Sequence, residues 1–97
     1  MELPDGLTCD QDGHVWCAVY GKGRVIQFNC ETGKPMHHIK LPGIFSSSSC
    51  CFGGPNMDTL YITTGAADVD VGKYPNSGAL YAVPTKTKGF EQPYFKA

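Results

Sequence analysis

Long hydrophobic runs are missing from this sequence. No apolar stretch approaches the ~20 residues that a membrane-spanning helix needs, which excludes that kind of membrane protein. An excess of one charge is missing too. Eight Lys and Arg stand against nine Asp and Glu, and the net charge of −1 offers neither nucleic acid nor an anionic membrane surface an electrostatic footprint. No window sustains a helical period of apolar residues, so helical folds are disfavoured. There is no Asn-x-Ser/Thr sequon. The opening Met1-Glu2-Leu3-Pro4-Asp5-Gly6 has neither a basic segment nor an apolar core, and so does not read as a signal peptide. The five cysteines are an odd number and make a poor disulfide framework; they are expected to be reduced thiols in a cytoplasmic protein.

What is present points to a small β-rich domain. At 97 residues one ordinary domain fits, and a hydrophobic share of 41% with 18% charged residues suits a folded chain. Twelve glycines and seven prolines imply many short elements joined by tight turns. Short runs rich in β-branched and aromatic residues alternate with turn residues. The first is Gly6 to Asp10, ended by Gln11-Asp12-Gly13-His14, where Asp-Gly supplies the positive φ of a hairpin turn. Val15 to Tyr20, Arg24 to Phe28 and Met36 to Leu41 follow, separated by Gly21-Lys22-Gly23 and Glu31-Thr32-Gly33-Lys34. These four predict one antiparallel meander.

The second half repeats that plan. Ser48 to Phe52, Thr59 to Thr64 and Gly78 to Val83 are predicted strands, and Gln92 to Lys96 is a candidate fourth. Val15-Trp16-Cys17-Ala18 matches Leu60-Tyr61-Ile62-Thr63 in place and type, and Gly23-Arg24-Val25-Ile26 matches Gly78-Ala79-Leu80-Tyr81. Self-similar four-strand units of roughly 40–50 residues are the signature of propeller blades. The expected units run from about 5–42 and about 46–97.

In order along the chain, Pro4-Asp5-Gly6-Leu7-Thr8-Cys9-Asp10, Asp12-Gly13-His14-Val15-Trp16-Cys17-Ala18, Gly23-Arg24-Val25-Ile26 and Glu31-Thr32-Gly33-Lys34 resemble the senescence marker protein (regucalcin)/gluconolactonase family. Ser49-Cys50-Cys51-Phe52-Gly53-Gly54, Asp58-Thr59-Leu60-Tyr61-Ile62-Thr63 and Gly78-Ala79-Leu80-Tyr81-Ala82-Val83 continue the resemblance. It implies an all-β, six-bladed propeller, of which this chain supplies the C-terminal two four-stranded blades. It also implies hydrolysis of sugar lactones such as gluconolactone with a divalent metal ion, Ca²⁺ or Zn²⁺, on the propeller axis. One residue of the family's active site carries over: Asp5, as metal ligand and catalytic carboxylate. The family's glutamate and asparagine ligands lie in blades without a counterpart here. Read without the resemblance, Pro4-Asp5-Gly6 is simply a turn tripeptide.

Other constellations have blander readings. His37-His38 and Cys50-Cys51 contain zinc-ligand types, but neighbours on a strand point to opposite faces and cannot chelate one ion together. Asp68-Val69-Asp70 starts like a calcium loop without its correctly spaced glycine or closing glutamate. Gly21-Lys22-Gly23-Arg24 lacks the following helix of a phosphate cradle, and no Gly-x-Ser-x-Gly elbow surrounds Ser46 to Ser49. Two functions stand side by side: metal-dependent lactone hydrolysis with Asp5 as part of the site, or a non-catalytic propeller segment acting as a calcium-binding or protein-interaction module. Exposed blade faces add the expectation of self-association, with three copies of a two-blade chain closing a ring.

Overall fold

The computed structural model describes residues 3–21, 23–66, 69–70 and 72–90. All regular structure among them is β. Four strands, β1 (Leu3–Cys9), β2 (His14–Tyr20), β3 (Arg24–Asn29) and β4 (Pro35–Lys40), pair in sequence order as an antiparallel meander. A second meander, β5 (Ser46–Gly53), β6 (Thr59–Gly65) and β7 (Tyr81–Pro84), follows the same rule. The two meet in a single pair, Tyr20 with Ser46, which makes seven strands one curled sheet.

Local chemistry sets the turns. Gly13 adopts φ 82° in the β1–β2 turn, closed by the Asp10 amide donating to His14 O at 3.0 Å. At the β3–β4 turn Asn29 Oδ1 accepts the amides of Glu31 (2.8 Å) and Thr32 (3.2 Å), the local bonding that makes Asn a turn former. Gly23, at φ 58°, is obligatory for two reasons: a side chain would be strained there, and its Cβ would run into the backbone of Ile44.

Strand alternation divides each meander into two faces. In β2 and β3, Trp16 lies opposite Gln27 and Ala18 opposite Val25, so these four share a face. In β5 and β6, Cys50 pairs with Ile62 and Phe52 with Leu60. The core forms where these two faces meet: Trp16, Ala18 and Val25 pack with Cys50, Phe52, Leu60 and Ile62, and Leu41 and Ile44 of the connection join them. Trp16 and Phe52 touch edge to face, centroids 5.7 Å apart at 87°. Burying each large apolar side chain contributes ~1.5–3 kcal/mol, so the junction between meanders is the main hydrophobic stabiliser of the chain.

Two expected strand starts shift by three residues, and that of β5 by two, from Ser48 to Ser46. The first strand starts at Leu3, because its ladder runs past Gly6 to pair Leu3 with Tyr20. The strand expected from Gly78 begins at Tyr81. Gly78 sits at φ 93° with its amide on Thr64 Oγ1 (3.0 Å), which holds the chain out of the β7 ladder. The expected strand from Gln92 to Lys96 lies outside the described residues. No helix among the described residues is long and apolar enough to cross a membrane.

Candidate functional site

Asp5 lies in a break in the β1–β2 register. Pro4 pairs with Val19 and Leu7 with Cys17, leaving Asp5 and Gly6 together opposite Ala18. One extra residue in an antiparallel pair is a β-bulge, which bends the strand and re-aims a side chain. The bulge lies where β1 passes β5: a Cβ on Gly6 would collide with the Ser49 side chain and crowd the Ser48 carbonyl. Only glycine permits that approach. The Asp5 residue is exposed, and no hydrogen bond or ion pair to its carboxylate is found among the described residues.

At the same end of the sheet, Tyr20, Phe45 and Tyr74 form an edge-to-face chain with centroids 5.5 and 5.1 Å apart. Asn76 ties the β6–β7 loop to the β4–β5 connection, its Nδ2 donating to Pro42 O (2.9 Å) and its amide to Gly43 O (3.0 Å). Asp70 serves its own turn, with Oδ1 accepting the amides of Gly72 and Lys73 (3.0 and 3.3 Å). Asp68, which would share a calcium loop with it, lies outside the described residues.

The opposite end of β1 carries a second carboxylate, Asp10, only 1% exposed. Oδ1 accepts the amides of Asp12 (2.9 Å) and His14 (3.0 Å); Oδ2 accepts the Trp16 indole N–H (2.8 Å) and the Gln27 amide N–H (3.2 Å). His14 Nδ1 stands 3.6 Å from Oδ2. Burial pushes the Asp10 carboxyl upward, but the hydrogen bonds from Trp16, His14, Asp12 and Gln27 outweigh it and hold the group below its ordinary value of 3.8. Sequence reading took Asp10 only as the end of a strand. The signal available was an aspartate two residues before Asp12-Gly13, the position from which a side chain closes such a turn.

Ser47 ties the meanders together. Its buried hydroxyl accepts the Val19 amide at 3.2 Å and lies 2.8 Å from Val19 O and 2.7 Å from Arg24 O. It is a cross-link, with no nucleophile's partner base in its bonding. All five cysteines are free thiols: Cys9, Cys30 and Cys51 are exposed, Cys17 and Cys50 buried. Burial, reinforced by the neighbouring Cys17 and Cys51, pushes the Cys50 thiol up to about 12. Cys50 and Cys51 divide between core and surface as alternation requires, whereas His37 and His38 are both exposed on the outer strand β4. Among the described residues, no three His, Cys, Asp or Glu side chains come together as a metal site.

Residues 1–66 match the family model described as SMP-30/Gluconolactonase/LRE-like region. The chain is 40% identical over 84 residues to regucalcin of Xenopus laevis, an alignment covering 84% of this chain and 28% of that protein. It superimposes on the crystal structure of a calcium-binding protein, regucalcin, from Agrobacterium tumefaciens with a TM-score of 0.86 and 25% identity, over 97% of this chain and 32% of that one. A luciferin-regenerating enzyme structure gives a TM-score of 0.77 at 32% identity, over 90% and 30%. Sheet and neighbours together define an all-β protein of the regucalcin-type propeller class. The chain belongs to the SMP-30/gluconolactonase family and spans about a third or less of the relatives it matches.

Proposed function

We propose that this chain is part of a metal-dependent sugar-lactone hydrolase and that Asp5 is its contribution to the site. The observation that carries this is the placement of Asp5: an exposed carboxylate, unbonded among the described residues, at a β-bulge in the first strand of a blade, in a chain of this family. The reading takes 5–42 and 46–97 as the two blades. A divalent cation at such a site would lower the pKa of bound water and polarise the lactone carbonyl.

The chain by itself does not fit that ion. Calcium takes about 6–8 oxygen ligands, and the described residues gather no group of three candidate ligands. Other segments or copies must complete the site. Asp5 supplies one acceptor carboxylate, and Gly6 lets β1 bring it against β5. The aromatic rim of Tyr20, Phe45 and Tyr74 suits the apolar face of a sugar ring, since binding clefts combine aromatic walls with a few polar groups.

The missing ligand group favours a second reading, a non-catalytic calcium-binding or protein-interaction segment. Acid release from glucono-δ-lactone, followed with Ca²⁺, with Zn²⁺ and with EDTA, separates the two. Metal-dependent hydrolysis abolished by Asp5→Ala supports the first. Hydrolysis that survives Asp5→Ala sinks the role of Asp5, and a folded protein with its site complete that binds Ca²⁺ without hydrolysis supports the second.

A further inference from the structure

The two meanders do not close on each other everywhere. Beside the core they leave a cavity of about 320 Å³ between the outer strands of the first meander and the end of β7. One wall is a row across three strands. Trp16 stands opposite Gln27 and Gln27 opposite His37, so all three face the same way, with Ile39 two residues further along β4. Val83, Pro84 and Lys86 form the other wall. Trp16 belongs to the core, and Ile39 and Val83 pack against it, so the described residues build the cavity by themselves. Its size suits a small molecule, whose sites of ~300–1,000 Å³ combine apolar walls with a few polar groups. It lies at the Asp10 end of the sheet, away from the Asp5 bulge.

The polar groups around it differ in whether they are already used. The Thr85 hydroxyl lies 2.8 Å from both Asp58 O and Thr87 O, and the Thr87 hydroxyl donates to Asp12 Oδ2 at 2.9 Å. Gln27 has a free arm. It is only 5% exposed. The Asp10 carboxylate can only accept, which fixes the Gln27 amide nitrogen on that side, 3.2 Å from Asp10 Oδ2 and 3.2 Å from His14 Nδ1. The other arm of the fork, Oε1, has no hydrogen bond among the described residues, although buried acceptors are normally paired. A donor entering the cavity would satisfy it. Across from it, the exposed Lys86 supplies a positive charge. The Asp10 charge behind Gln27 disfavours an anionic group at that end, so such a group is favoured beside Lys86.

We infer that this cavity binds a small amphipathic acid. A ring-sized apolar body packs against Trp16, Ile39 and Val83, a hydroxyl donates to Gln27 Oε1, and a carboxylate lies beside Lys86. The site is separate from the one proposed for lactone hydrolysis and does not depend on it.

The probe is 4-hydroxyphenylacetate, titrated into the purified protein by calorimetry. Two comparison ligands are phenylacetate, which lacks the hydroxyl, and tyramine, which carries an ammonium group in place of the carboxylate. The hydroxy acid should bind and should shift the indole N–H resonance of Trp16, the one tryptophan of the sequence. Phenylacetate should bind about threefold to tenfold more weakly, the worth of one hydrogen bond. Tyramine should bind about threefold more weakly, as an exposed charge contact gives. Lys86→Glu, at an exposed position, should reverse that order, so that tyramine binds better than the acid. A gain for one ligand with a loss for the other could not come from misfolding. Absence of binding, as when other residues of the polypeptide fill the cavity, overturns the proposal, and so does an order unchanged in Lys86→Glu. Phenylacetate binding as tightly as the hydroxy acid overturns the role of Gln27.

Discussion

Two aspartates, one near the start of β1 and one just past its end, have opposite surroundings. Asp10 is buried and accepts four hydrogen bonds, two from the backbone of its own turn and two from side chains on β2 and β3. Asp5 is exposed in a bulge, with no bond to its carboxylate among the described residues. A buried charge persists only where hydrogen bonds compensate it, so Asp10 belongs to the architecture. A carboxylate left without partners in a distorted segment contributes little to folding and is available for other work.

The largest test of that contrast is Asp10→Ala. It leaves the Trp16 indole N–H and the Gln27 amide buried without their acceptor, and unsatisfied donors cost ~1–3 kcal/mol each. A loss of about 3 kcal/mol or more is expected from the urea midpoint. Next is Gly6→Ala, which drives a methyl group into Ser49 and forces β1 from β5. Overpacking of this kind costs ~1–3 kcal/mol, and Ser49→Gly on the same background should recover part of it. Acid gives a third test. The native Asp10 carboxyl titrates below its unfolded value of 3.8. The unfolded chain therefore binds the proton more readily, and the Asp10 contribution, present in full above that value, is lost as pH falls through it towards the lower native one. Thermal melts from pH 5 to pH 2 should show that decline in wild type and lack it in Asp10→Asn. Smaller still, alkylation of the folded chain at neutral pH should label Cys9, Cys30 and Cys51 while sparing Cys17 and Cys50, checked by peptide mass. Last comes Asp5→Ala, whose melting temperature should equal that of wild type. A marked drop would mean that Asp5, too, is architectural, and the contrast would fail.

The strands and turns were legible because each rests on local chemistry. Asp12-Gly13 and Glu31-Thr32-Gly33-Lys34 carry their own turn signals, and alternating runs mark β2, β3 and β6. Asp5 stood out as a candidate only through the family resemblance, since Pro4-Asp5-Gly6 alone reads as a turn. The bulge that holds it was not legible, because it follows from the fit of β1 against Ser48 and Ser49, more than forty residues away. The Asp10 network escaped for the same reason. Nothing near Asp10 in sequence announces Gln27, which arrives opposite Trp16 only once β2 and β3 are in register. The late start of β7 depends on a bond from Gly78 to Thr64 across a loop whose length gives no hint of it.

The turn that holds Asp10 is also fastened to the far end of the chain. Asp10 bridges to Gly89, the Gln11 amide donates to Lys88 O at 2.7 Å, Gln11 Nε2 donates to Gly89 O at 3.0 Å, and Thr87 Oγ1 donates to Asp12 Oδ2 at 2.9 Å. A ribosome delivers residue 11 long before residue 89. At ~5–20 residues per second, the first hairpin waits several seconds for its clasp. The Trp16 face waits too, though less long, because its core partners Phe52 and Leu60 are also made after it. Such sequence-distant closure slows folding and makes the nascent first meander the stage most in need of protection from wrong partners.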